Sequence, residues 1–261
     1  MRVLLYGLGR SGLTAGRHGA GLGHRPVWYD QRSDGPDLDE ARAEGWPRAD
    51  DPRAAEVDLC IAAPGVPIDH PDLRALRATG VETIGEVEWV SRTVDAPILG
   101  VTGTAGKGTV TRWLCTFLQA DGRDAVAGGN LDPALSAVAE PGRWLVAEMS
   151  SFQLERCPTL RLRVSVVTTV GRDHLDRHGD LATYHAVKRR LVEATAEGGC
   201  AILNAADPVQ LGWAAELPAR VALYDARDVP SEDPRLRAWT EGGRFVVAGH
   251  DLGPVDALRP R

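Results

Sequence analysis

The feature that most limits what this chain can fold into is a pair of glycine-rich turns, each directly after a short apolar run. Gly7-Leu8-Gly9-Arg10-Ser11-Gly12 follows Arg2-Val3-Leu4-Leu5-Tyr6, and Gly103-Thr104-Ala105-Gly106-Lys107-Gly108-Thr109 follows Ile98-Leu99-Gly100-Val101. A strand that opens through such a turn into a helix aims backbone N–H groups and the positive helix end at one point, an arrangement suited to phosphate. A second turn of this kind calls for a second sheet. The chain is therefore expected to be α/β, with a Rossmann-like parallel-sheet domain over residues 1–93 and a P-loop-type ATPase domain over 94–261, incomplete at its C-terminal end.

The apolar pattern agrees. Strands are expected at 3–6, 26–29, 57–62 and 81–84, with helices near 11–21, 71–79 and 85–93, an alternation that predicts parallel βαβ units. Asp95-Ala96-Pro97 marks the break. Beyond the second turn, strands are expected at 144–148, 163–169, 200–204 and 221–223, helices near 107–121, 180–197 and 208–216, a surface loop over 225–235, and a hairpin around Gly242-Gly243.

Composition narrows the function. At 261 residues, two domains can each bury a core. The net charge of −6 argues against a general nucleic-acid binder, though loops and helix ends still bind anionic small molecules. No apolar run approaches the roughly 20 residues of a membrane span, and no leader precedes the first strand, so a cytoplasmic monomer with no membrane partner is expected. Cys60, Cys115, Cys157 and Cys200 stand too far apart for a disulfide framework or a zinc site and read as small buried hydrophobes.

At the first turn, the glycines permit close approach to a pyrophosphate, and Asp30, after the next strand, is placed to accept from ribose hydroxyls. NAD and a UDP-sugar both present that pyrophosphate, and a glycine turn with no ligand is the plain alternative. Gly65, in Ala63-Pro64-Gly65-Val66, falls at the same sheet edge and reads equally as a simple turn. At the second turn, backbone N–H groups of Gly103, Thr104, Gly106 and Gly108 would cradle phosphates, Lys107 would reach the β and γ phosphates, and a hydroxyl would hold magnesium. The match is imperfect: Val101 stands where a full motif has Gly, and Gly108 where it has Ser or Thr, leaving Thr109 as the nearest hydroxyl.

Three further segments make the pattern specific. They are Glu148-Met149-Ser150-Ser151-Phe152-Gln153-Leu154-Glu155, Asp173-His174-Leu175-Asp176-Arg177 and Tyr184-His185-Ala186-Val187-Lys188. With Gly103–Thr109 and Gly128-Gly129-Asn130, their order resembles the Mur ligase family of peptidoglycan synthesis, over residues 1 to about 250. The Ser-Ser-Phe-Gln-Leu-Glu word is similar to that of the member joining D-glutamate to UDP-N-acetylmuramoyl-L-alanine.

The resemblance implies an ATP-dependent ligase. ATP converts the substrate carboxylate to an acyl phosphate, and the D-glutamate amine displaces phosphate to form the amide. Such chemistry needs positioning and charge neutralisation more than covalent help. It implies Lys107, His174 and Lys188 as catalytic groups, with Lys107 on the phosphates. It implies two magnesium ions, one held by Glu148 and Thr109, the other by His174 and by Lys188 once carbamylated. Asn204 and Asp207 keep part of a nucleotide-binding word, Asn130 and Ser150 face substrate or phosphate, and Arg10, Ser11, Asp30 and Arg32 hold the uridine and its phosphates. Without the family, Lys188 beside Arg189 and Arg190 reads as part of a solvated basic face.

Departures also stand out: Ala105 where the family has Asn, Gly108 for Ser or Thr, Asp132 for Gly, Thr169 for Asn, and Arg172 at a position often acidic or polar. Family members continue with a Gly-x-His-Asn segment and a third, Rossmann-like domain that the 261 residues do not contain, so a truncated form with little turnover of its own is expected. The rival readings are a non-catalytic nucleotide-sugar binding module, an NAD-binding Rossmann oxidoreductase, and another amide ligase such as a folylpolyglutamate synthase, which lacks the first glycine-rich domain.

Overall fold

In a computed structural model, residues 1–228 and 235–254 are described. The chain divides into two compact units, one of residues 1–98 and 111–160, the other of 99–110 and 161–254 among those described.

The first unit opens with β1 (Arg2–Tyr6), α1 (Arg10–Gly21), β2 (Arg25–Tyr29), α2 (Pro36–Ala43), β3 (Leu59–Ala62), α3 (Pro71–Ala78), β4 (Glu82–Ile84) and α4 (Glu86–Thr93). The strands form one parallel sheet in the order β2-β1-β3-β4. Side chains of a strand alternate between faces, and here both faces are covered. Val3 and Leu5 pack with Leu13, Trp28, Leu38 and Trp89. Leu4 and Tyr6 pack with Val27, Cys60, Leu73 and Leu76 on the other side. That is why Val3-Leu4-Leu5-Tyr6 reads as an unbroken apolar run. α2 lies in a polar stretch, which hid it from the sequence; Leu38 and Ala41 are its buried residues.

The second glycine-rich turn lies between β5 (Ile98–Thr102) and α5 (Lys107–Ala120). After α5 the first unit continues with β6 (Ala125–Gly129), a 3-10 turn at Leu135–Ala137, β7 (Trp144–Glu148) and α6 (Ser151–Leu154). β6 and β7 pair in parallel, which sets Gly129 opposite Glu148. β6 was invisible in the sequence because Ala-Val-Ala-Gly-Gly carries almost no β-branched or aromatic signal.

The second unit holds β5 beside β8 (Leu162–Val167), then α7 (Leu175–His178), α8 (Leu181–Glu193), β9 (Thr195–Asn204), α9 (Pro208–Glu216), β10 (Arg220–Asp228), β11 (Leu236–Glu241), β12 (Arg244–Val247) and β13 (His250–Pro254). Strands run in the order β5-β8-β9-β10-β11-β12-β13, parallel through β11 and antiparallel after it. Gly100 is needed inside β5, because a Cβ there would stand 2.7 Å from Leu162 Cδ1 and 2.9 Å from Leu191 Cδ1.

Two boundaries differ from expectation. The helix expected to reach 197 stops at Glu193, and β9 begins at Thr195 instead, with Gly198 at φ 75° where the β8–β9 register shifts. The loop expected at 225–235 begins later, because β10 runs to Asp228 and Asp225 is buried opposite Trp239; residues 229–234 lie outside those described. The hairpin around Gly242-Gly243 is present as β11–β12.

Candidate functional site: two phosphate-type turns

In the first unit, Gly7, Asp30 and Gly65 follow β1, β2 and β3 in turn, so all three stand at the carboxyl edge of the sheet. They line a cleft of about 270 Å³ with Tyr6, Val66 and His70. Ligands of open parallel sheets gather at this edge. Gly12 must lack a side chain there, since a Cβ would come within 2.4 Å of the Gly7 carbonyl oxygen. Arg10 and Ser11 open α1 at the mouth of the turn.

Asp30 does something the pattern did not foresee. Its Oδ2 accepts from Leu8 N at 2.8 Å and from Arg32 Nη2 at 2.9 Å, while Oδ1 accepts from Arg32 N and Nε, each at 2.9 Å. Four donors fill a carboxylate's four acceptor positions, so in this conformation Asp30 holds the glycine turn rather than offering an oxygen to ribose. Burial pushes its carboxyl up, but the Arg32 side chain and the Arg32 and Leu8 backbone donors outweigh burial and hold it below the usual range. Arg32 completes the clamp by donating to Leu8 O at 2.7 Å. Replacing Asp30 by Ala is expected to cost about 2 kcal/mol in urea unfolding, the penalty of unsatisfied donors and a lost charge-assisted pair.

The same unit carries Asn130, Glu148 and Ser150. Asn130 Nδ2 donates to Glu148 Oε1 at 2.7 Å, and the backbone N–H of Asn130 donates to Glu148 O at 2.8 Å. Arg10 reaches this turn, Nη2 donating to Asn130 O and Nη1 to Asp132 Oδ1, each at 3.2 Å. Ser150 is the N-cap of α6: its hydroxyl accepts from Gln153 N, and the Gln153 side chain accepts from Ser150 N at 3.0 Å, a capping box. The cap occupies the hydroxyl that the sequence offered to substrate.

In the second unit, the turn after β5 is organised by the loop after β8. Thr104 N donates to Thr169 O at 2.8 Å and Ala105 N to Thr169 Oγ1 at 2.9 Å, while Thr168 Oγ1 donates to Ala105 O at 2.6 Å. Thr104 Oγ1 accepts from Gly171 N at 2.9 Å. Gly103 and Gly106 take φ 154° and 79°, open to glycine at little cost. Gly108 and Thr109 follow in the first turn of α5, Thr109 exposed.

Two ammonium groups meet on one oxygen here. Lys107 Nζ donates to Gly103 O at 3.0 Å and to Thr104 O at 3.2 Å, and Lys188 Nζ donates to the same Gly103 O at 2.8 Å. Lys188 is 2% exposed on α8 and lies 4.7 Å from the centre of the Tyr184 ring. Burial, then the Lys107 charge, push the Lys188 amine down to about 7, against the opposing pull of Asp173. This is a correction to the plain sequence reading: Lys188 is no part of a solvated basic face. The signal that would have found it is scarcity, for Lys107 and Lys188 are the only lysines among 30 basic residues. Arginine cannot lose its proton in a protein, whereas a buried lysine can.

Asp173, the first residue of the Asp-His-Leu-Asp-Arg segment, bears on two groups of this site: its charge pushes the Lys188 and Tyr184 side chains upward, and its Oδ2 lies 3.4 Å from His174 Nε2. His174 is half-exposed at φ 49°. Asn204 and Asp207 build the turn into α9: Asn204 Oδ1 accepts from Ala206 N and Asp207 Oδ1 from Val209 N, each at 2.9 Å, while Asp207 Oδ2 accepts from Val170 N at 3.2 Å. Thus Lys107, Lys188, Asp173 and His174 belong to one neighbourhood of the second unit, Asn204 and Asp207 brace the loop beside it, and Glu148 belongs to the first unit. Among the described residues no three His, Cys, Asp or Glu side chains gather as a metal cage.

A parallel sheet opening through a glycine-rich turn into a helix, with two lysines converging on that turn, defines an α/β protein with a phosphate-type turn. Residues 101–249 match the family model described as Mur ligase middle domain. The chain belongs to the Mur ligase family. It is 44% identical over 232 residues to a UDP-N-acetylmuramoylalanine–D-glutamate ligase of Deinococcus radiodurans, a match covering 87% of this chain and 50% of the relative. It is 41% identical to a protein of the same name from Thermus thermophilus, over 98% of this chain and 62% of the relative. The chain thus spans about half to three-fifths of the length of these curated relatives.

Solved structures agree on the fold. A UDP-N-acetylmuramate:L-alanyl-gamma-D-glutamyl-meso-diaminopimelate ligase from Neisseria meningitides superposes with a TM-score of 0.63 at 15% identity, covering 96% of this chain and 85% of that one. A MurF ligase from Thermotoga maritima, solved in complex with ADP, gives 0.52 at 18%, covering 87% and 54%. Among the described residues no helix is long and apolar enough to cross a membrane.

Proposed function

We propose that the protein is an ATP-dependent ligase that adds D-glutamate to UDP-N-acetylmuramoyl-L-alanine, and that the 261 residues supply its UDP-substrate domain (1–93) and its ATP domain (from 94). The single observation that carries this reading is the convergence of Lys107 and Lys188 on Gly103 O inside a glycine turn. Lys107 donates to the turn's own carbonyls; polyphosphate would offer it charged acceptors, and the turn's N–H groups would complete the cradle. The names of the 41–44% identical relatives supply the substrates, and the ADP in the MurF structure supports nucleotide use.

In the reaction, the substrate carboxylate oxygen attacks the γ phosphorus and ADP leaves. The D-glutamate nitrogen then attacks the acyl carbon, phosphate leaves with the C–O bonding pair, and the nitrogen releases a proton to solvent as the amide forms. This chain's contribution is to hold the phosphates and balance charge as it shifts. Magnesium, when bound, would neutralise phosphate charge and orient the oxygens. It commonly takes one or two carboxylates plus phosphate oxygens and waters. Glu148 in the first unit and the exposed Thr109 hydroxyl in the second are each, taken singly, oxygen donors of that kind. The His174 imidazole fits a hard oxygen-seeking cation less well, and Lys188 fits only as a carbamate. A neutral Lys188 amine adds to carbon dioxide, losing a proton as the N–C bond forms, and an amine brought down to about 7 is half neutral near that pH.

Calorimetric titration of the purified chain tests the proposal. UDP-N-acetylmuramoyl-L-alanine and an ATP analogue are each expected to bind. Lys107→Ala is expected to weaken the nucleotide about tenfold or more while leaving the UDP substrate within twofold, the loss of a charge-assisted contact. Binding of NADH in place of the UDP substrate would overturn the assignment.

A further inference from the structure

Glu148 ends β7 as a buried carboxylate, 7% exposed, and the way it is held carries an inference beyond its own role. Oε1 receives the Asn130 amide at 2.7 Å, while no described group donates to Oε2. The donor is neutral. An arginine or lysine in that place would cancel the charge that a cation needs, whereas an amide fixes the carboxylate and leaves its charge intact.

The amide is itself fixed. Asn130 N donates to Glu148 O, so side chain and backbone of Asn130 both grip the same residue. Gly129 permits this approach: it takes φ 106°, and a Cβ there would come within 2.4 Å of Glu148 O. From the other side, Arg10, at the start of α1, donates to Asn130 O and to Asp132. Arg10 and Asp132 form the arm that clamps the turn carrying Asn130.

We propose that Asn130 is a positioning residue, which aims the free Oε2 of Glu148 at a divalent cation, and that Arg10 and Asp132 steady it. This differs from the substrate-facing role that the family resemblance implied for Asn130. It rests on the reading of Glu148 as a cation ligand in the proposed ligase.

The test is Mn²⁺ binding to the purified chain in the presence of a non-hydrolysable ATP analogue, followed by electron paramagnetic resonance, with analogue binding in EDTA measured in parallel. Asn130→Leu keeps the branched outline in a bulkier side chain and removes the donor; Asn130→Asp keeps the shape and adds a like charge. Both are expected to weaken Mn²⁺ about tenfold or more, the usual effect of losing an orienting partner, with the EDTA affinity unchanged. Glu148→Gln is expected to weaken Mn²⁺ at least as much, and Glu148→Gln/Asn130→Leu no further, since the two act through one ligand. Circular dichroism confirms folding of each variant, and Arg10→Ala is expected to give a smaller loss of the same kind. Mn²⁺ affinity within twofold of wild type in folded Asn130→Leu, with Glu148→Gln impaired, overturns the positioning role alone. Unimpaired Mn²⁺ binding in Glu148→Gln removes the cation-ligand reading, and the proposal with it. Equal losses with and without metal in Asn130→Leu would return Asn130 to ligand contact and overturn it as well.

Discussion

Replacing Lys188 by methionine is expected to raise stability near neutral pH and to flatten the alkaline side of the stability curve. In the folded chain the amine titrates at about 7 instead of its ordinary 10.5, mainly because it is buried and secondarily because Lys107 is near. The unfolded chain therefore binds the extra proton between these two values, so wild-type stability rises as pH climbs from about 7 to 10.5. Below about 7 the full penalty applies, with an upper bound of about 5 kcal/mol from a shift of this size at about 1.4 kcal/mol per pH unit. Methionine fills similar volume without a charge to desolvate, at the cost of the bond to Gly103 O, worth about 1 kcal/mol. Urea unfolding at pH 6.5 and 9.5, in buffer freed of carbon dioxide, measures the difference. Wild type should gain several kcal/mol more than Lys188→Met between the two. Parallel pH slopes would show that the amine is solvated and would remove the basis for a reactive lysine.

The same scarcity of lysine makes a direct observation practical. With ¹³C-bicarbonate at pH 8, a carbamate resonance can arise in this chain only from Lys107, Lys188 or the N-terminal amine. A signal lost in Lys188→Met and retained in Lys107→Ala would place it on Lys188, where burial keeps the amine neutral enough to react.

How far the sequence reaches depends on what each residue has to do. β1 and β2 were legible because burial on both faces forces an unbroken apolar run, and the glycine turns were legible because backbone and phosphate exclude a Cβ. β6 was not, because its residues are small for packing reasons that only its neighbours reveal. The second-unit site was legible in its lysine and glycines but not in its braces. Thr168 and Thr169 shape the turn through carbonyl and hydroxyl bonds that carry no spacing rule, and Asp173 acts through charge at a distance. Asp30 and Ser150 show the converse. Both carry chemistry that suits a ligand, and both spend their oxygens on the protein itself, because a carboxylate after a strand and a serine before a helix serve backbone N–H groups equally well.

Gly103→Ala is expected to be the most damaging single methyl group in the second unit. The added Cβ would stand 1.9 Å from Thr168 Oγ1 and about as close as 3.0 Å to Thr169 N, at a φ of 154° that side chains rarely adopt. Thr168 cannot simply step aside, because its hydroxyl ties Thr102 O at 3.2 Å and Ala105 O at 2.6 Å. Backbone strain and the displaced hydroxyl together should cost about 3 kcal/mol. The larger effect falls on the ligand, since the carbonyl on which both lysines converge would turn away; a loss of about 100-fold in ATP-analogue affinity is expected. Thr168→Ala in the Gly103→Ala background should recover part of the stability, by removing the clash, and little of the affinity, because the strain at residue 103 persists. Gly21→Ala supplies the contrast: nothing lies within 4 Å of a Cβ there, and in a helix it should be neutral or stabilising by up to about 1 kcal/mol. Unfolding curves and calorimetric titration of the four proteins decide the matter. Stability and affinity within error of wild type in Gly103→Ala would mean that the turn adopts another path, and that the meeting of two lysines on one carbonyl is not what organises this site.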